Sequence, residues 1–71
     1  MPRTTREWAR RKLEMAAQGL DAPMAHLLET KVPYSEPPHS EDTLKVASNC
    51  EELAEYLLTA QQLILGLRGQ L

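Results

Sequence analysis

Val46, Cys50, Leu53, Leu57, Ala60, Ile64, Leu67 and Leu71 follow one another at spacings of four and three residues, without a charged side chain among them. Alternating steps of four and three put eight positions on one face of a helix, the pattern of a heptad seam. A seam this regular requires another helix against it. The second half of the chain is therefore expected to be one long helix built for helix–helix association.

The chain has 71 residues, enough for one domain. Domains of this size bury a modest core and usually gain stability from a disulfide, a metal or a partner subunit. Cys50 is the one cysteine, so an internal disulfide is excluded. A thiol on an apolar seam packs as a small hydrophobe, which suits a reducing, cytoplasmic setting. Aromatic residues are confined to Trp8, Tyr34 and Tyr56, and the remaining apolar content is aliphatic. That balance favours an all-α fold over sheets. Polar residues interrupt every apolar run, so no membrane span is expected, and the N-terminal arginines precede no apolar signal core.

The first half reads as a helix over about 5–31. Thr4 or Thr5 is placed to cap it, and Glu7 follows Thr4 at capping-box distance. Ala9, Leu13, Ala16, Leu20, Met24 and Leu27 keep one apolar stripe in phase. Gly19 to Pro23 interrupts it, because proline lacks an amide hydrogen and disfavours the helical region at the residue before it. Either the helix ends near Gly19 and a new one starts at Asp21, or one helix continues with a kink near Pro23. The unbroken phase of the stripe favours the second. Pro33, Pro37 and Pro38 make 32–40 a loop. Ser40, followed by Glu41 and Asp42, opens the second helix, expected over about 41–68 with Arg68 in the last turn.

Two long helices and a short loop form an antiparallel hairpin. Beside the seam lies a second apolar row of Ala47, Ala54, Leu58 and Leu65. One partner helix cannot cover both rows, so the expected assembly is a dimer of hairpins in a four-helix bundle, or a hairpin bound to another helical protein. Val46, Cys50, Leu53, Leu57, Ala60, Ile64 and Leu67 are the expected interface.

Charge is unevenly placed. Residues 1–12 hold Arg3, Arg6, Arg10, Arg11 and Lys12 against Glu7, a net +4, while residues 13–71 carry a net −6. Arg3, Arg6 and Arg10 share a helical face, with Trp8 interleaved. This basic turn is a candidate nucleic-acid contact, tracking phosphates and stacking on a base. The plainer alternative buries Trp8 in the core and pairs the arginines with the acidic helix.

Glu51, Glu52 and Glu55 place carboxylates within one helical turn, the geometry of a Mg²⁺ site. Over these five residues the chain resembles the first acidic motif of the MazG-type nucleotide pyrophosphohydrolases, which are helical dimers. That resemblance would imply a metal-dependent pyrophosphohydrolase. The family also carries an acidic pair on a following helix, and nothing acidic follows Glu55 here. His26 and Glu29 share a helical turn, but neither they nor His39 and Cys50 match a zinc spacing. There is no glycine-rich phosphate loop, and a thiol on a core seam is inert as a nucleophile. The sequence thus points to a small self-associating adaptor or regulatory module without catalytic residues, metal or cofactor.

Overall fold

The computed structural model describes residues 3–38 and 40–71, with side-chain surroundings from residue 5 onward. Its described residues form three helices: α1 (Arg3–Gly19), α2 (Asp21–Ser35) and α3 (Glu41–Gly69). α1 and α2 together make one arm of an antiparallel hairpin, and α3 makes the other. The hairpin is a rod of 59 × 15 × 12 Å with a radius of gyration of 16.9 Å. A globular chain of this length would have a radius near 11 Å. Two helices side by side cannot wrap a core, and the elongation follows from that.

α3 begins where its sequence dictates. The Ser40 hydroxyl accepts from the Thr43 amide at 3.3 Å, and the Thr43 hydroxyl accepts from the Ser40 amide at 2.7 Å. This reciprocal box satisfies two donors at the helix start, and Glu41 and Asp42 add favourable charge there. α1 differs from expectation by starting at Arg3, ahead of both Thr4 and Thr5, so neither residue is an N-cap.

The break in the first arm falls at Leu20. Its backbone stays in the right-handed helical region, and its amide reaches back three residues to the Ala17 carbonyl. The Met24 amide then bonds the Leu20 carbonyl at 3.1 Å. Pro23 is the third residue of α2, where an amide hydrogen would have no helical acceptor in any case.

The expected loop at 32–40 is shorter than its prolines suggest. Val32 to Ser35 continue α2, with Pro33 inside the last turn. There Pro33 removes a single bond, to the Glu29 carbonyl, and its fixed φ is itself helical. The helix stops when Glu36, next to Pro37, turns extended.

Three polar contacts fix the pairing of the arms. Arg68 bonds Glu14 at 2.9 Å, the Gln61 amide bonds Asp21 at 2.8 Å, and Lys31 bonds Glu51 at 3.0 Å. From Glu14 to Asp21 to Lys31 the steps are seven and ten residues, and α3 retreats by the same steps from Arg68 to Gln61 to Glu51. The register therefore passes through the break at Leu20 unchanged. Gln61 also donates to the Ala17 carbonyl at 2.7 Å, so α3 supplies a donor at the junction of α1 and α2.

Leu57 is half-buried in this seam. Leu57→Asp should cost more than about 2 kcal/mol and abolish the cooperative thermal transition in circular dichroism, because it places an unpaired carboxylate between the arms. Gln61→Leu should cost about 1–2 kcal/mol despite its added apolar surface, since Asp21 and the Ala17 carbonyl lose the Gln61 donor and only the carbonyl keeps another, the Leu20 amide. Thermal melts of the two variants beside the unmodified protein check both values.

Candidate interaction surface

The residues of α3 and of the short segment after it that are shielded beside the first arm occupy two columns. One is Cys50, Leu57, Ile64 and Leu71; the other is Ala47, Ala54, Gln61 and Arg68. Over residues 44–71, these eight and Ala60 are shielded and every other side chain is exposed. On the first arm the shielded positions are Ala9, Leu13, Ala17, Leu20, Met24, Leu27 and Lys31. Ala17, rather than Ala16, takes the inner position. The fully shielded residues are small: Ala17, Ala47, Cys50 and Ala54. No large side chain among the described residues is completely enclosed.

The expected seam is thereby divided. Cys50, Leu57, Ile64 and Leu71 turn toward the first arm. Val46, Leu53 and Leu67 stand exposed on one flank of α3, with Ala60 half-shielded between them. Leu53 is 51% exposed. The second expected row divides as well: Ala47 and Ala54 are buried in the hairpin, while Leu58 and Leu65 are exposed on the opposite flank with Leu44.

The two flanks differ in charge. The Leu44/Leu58/Leu65 side carries the Arg68–Glu14, Gln61–Asp21 and Lys31–Glu51 contacts, and Leu28 lines a shallow groove there with Leu58, Glu51 and Glu55. On the other side, the columns Val46/Leu53/Ala60/Leu67 and Asn49/Tyr56/Leu63/Gln70 contain no ionisable group except the Tyr56 phenol. Leu63, at 70% exposure, is the most exposed large hydrophobe described. Ala9, Ala16, Pro23 and Thr30 hold the matching positions on the first arm, by helical phase. Sequence periodicity locates this face as apolar but does not show that it stays uncovered when the hairpin closes.

The basic turn lies beyond the end of α3. The register pairs Glu14 with Arg68, so position 11 falls opposite Leu71, and no described residue of α3 lies opposite the positions before it. Arg6, Arg10, Arg11 and Lys12 are exposed there. Trp8 is 61% exposed rather than buried, with the Lys12 ammonium 5.6 Å from its ring centre. The side chain of Arg3 lies outside the described surroundings.

The acidic turn is solvent-facing. Glu51, Glu52 and Glu55 are exposed, with Glu51 held by Lys31 and Glu52 accepting from the Tyr56 hydroxyl at 3.0 Å. Among the described residues, no three His, Cys, Asp or Glu side chains converge on a metal-sized position. His26 and Glu29 approach to 3.7 Å on an exposed turn. His39 lies outside the described residues. Among the described residues, no helix is long and apolar enough to cross a membrane. No protein-family model matches the chain, and neither a characterised protein nor a solved structure gives a significant match.

The hydrogen bond to Glu52, reinforced by the charge of that carboxylate, raises the Tyr56 phenol above its ordinary range. The folded state thus holds this proton more tightly than the unfolded chain does. Its stabilising effect is present below the ordinary phenol range and fades as pH rises through the folded midpoint. Glu52→Gln should lower the Tyr56 midpoint toward that of a free phenol, as followed by ring-proton NMR chemical shifts during an alkaline titration.

Proposed function

We infer that this protein is a helical interaction module that self-associates, two hairpins joining through α3 as a four-helix bundle. The observation that carries the reading is the exposed row of Val46, Leu53 and Leu67 beside Leu63, left over after the hairpin has formed its own seam. A hairpin whose enclosed residues are alanines and one cysteine retains little apolar burial per residue. A second hairpin against the exposed row converts these leucines into core, at roughly 1.5–3 kcal/mol for each large side chain fully covered. The role is that of an adaptor or regulator acting by association, in a reducing, cytoplasmic setting, without catalysis or a cofactor. The polar engagement of Glu51 and Glu52, on Lys31 and Tyr56, supports a non-catalytic assignment for the acidic turn.

The test is solution mass by multi-angle light scattering across a concentration series. A dimer at micromolar concentration is expected. Leu53→Glu with Leu67→Glu should shift the protein to monomer, weakening association at least a hundredfold, because two charges enter the joint. Gln62→Glu, on the opposite side of α3, should leave the mass unchanged. A wild-type protein that remains monomeric throughout would overturn the reading.

A further inference from the structure

We propose that the two copies dock antiparallel, so that the basic overhang of each lies against the acidic loop end of the other. The inference rests on the self-association reading and adds the orientation and the contacts that set it. It follows from where the register leaves charge. One end of the rod is the start of α1, bearing Arg6, Arg10 and Arg11 with Glu7 among them. The other end is the turn into α3, where Glu36, Glu41 and Asp42 are exposed and Lys45 is the nearest cation of α3.

Arg6 and Arg10 occupy the helical phase that Leu13, Ala17 and Leu20 hold further along, four or three residues apart. The face that packs on α3 over the body of the first arm thus continues past the end of α3 as an arginine face. Two rods laid side by side in opposite senses bring each overhang beside the partner's Glu36, Glu41 and Asp42. Laid in the same sense, they would set arginines against arginines and carboxylates against carboxylates, which costs free energy at both ends. Between the ends, the columns Val46/Leu53/Ala60/Leu67 and Asn49/Tyr56/Leu63/Gln70 hold no carboxylate or cation, and Glu52, bonded to Tyr56, borders them, so the charges at the ends decide the sense. A nucleic acid is the weaker occupant for the overhang, because residues 13–71 carry a net −6 that would repel it.

The experiment places a spin label at exposed position 5 (Thr5→Cys in a Cys50→Ala background) and reads the inter-copy distance by pulsed dipolar spectroscopy. Antiparallel docking predicts a distance close to the 59 Å length of the rod. A distance under about 25 Å, the lateral reach of neighbouring helices and their labels, would mean parallel docking and overturn the inference while sparing self-association. Absence of any dipolar signal at concentrations well above micromolar would remove the reading beneath it.

Charge reversal gives an independent readout. Arg6→Glu/Arg10→Glu/Arg11→Glu should weaken the dimer at least roughly tenfold at low salt, and Glu36→Lys/Asp42→Lys should do likewise. An equimolar mixture of the two variants should recover dimer, since each reversed end then meets its complement at both ends. Added salt should weaken the wild-type dimer. Unchanged dimerisation in both variants, with helicity intact by circular dichroism and salt-sensitive binding of the wild-type overhang to a DNA duplex, would assign the arginines to nucleic acid instead.

Discussion

The Gln61 side chain holds the hairpin together at its least regular point. Its amide donates to the Ala17 carbonyl and to the Asp21 carboxylate, on the two sides of the break between α1 and α2. Without Gln61, the Ala17 carbonyl near the end of α1 would keep the three-residue bond from the Leu20 amide at 3.2 Å. A polar residue in an otherwise apolar seam also selects one alignment, because only one offset brings it to its acceptors. The salt bridges at Arg68 and Lys31 then fall into place on either side. Each is exposed and contributes little by itself. Together with Gln61 they hold the same offset along most of the rod.

This choice of seam has a cost visible on the outside of the molecule. Packing Ala47, Cys50 and Ala54 inward lets the arms approach closely, and it turns Val46, Leu53 and Leu67 away from α1 and α2. Enclosing small residues while large ones stay half-buried or exposed is the reverse of what a self-sufficient domain does. The arrangement suits a unit that completes its core with something beyond itself.

Much of the architecture was legible in the sequence. The Ser40 start, the length of α3 and the hairpin follow from capping chemistry and periodicity. The sense of the seam was not legible, for a specific reason. Cys50, Leu57, Ile64 and Leu71 form a heptad pattern equally well with Val46, Leu53, Ala60 and Leu67 or with Ala47, Ala54, Gln61 and Arg68. Hydrophobicity favours the first set. The hairpin uses the second, because Gln61 and Arg68 find acceptors across the seam that lie 40 and 54 residues away. Of the two placements open to Trp8, residue type alone did not choose, because its position relative to the end of α3 depends on the register. Pro33 was misread as a loop residue because a proline near a helix end removes just one bond.

The short turn between α2 and α3 also gives the hairpin a direction. The residues joined across the arms are 20 apart in sequence at Lys31–Glu51, 40 at Asp21–Gln61 and 54 at Glu14–Arg68. Loop-closure entropy makes the last of these about 0.9 kcal/mol harder to form directly from an open chain than the first. Once the pair nearest the turn exists, the next closes only 20 further residues and the last only 14. The arms are thus wired to zip from the turn toward the chain ends. Mechanical tension applied between the two termini would open them in the opposite order, from Glu14–Arg68 back to Lys31–Glu51.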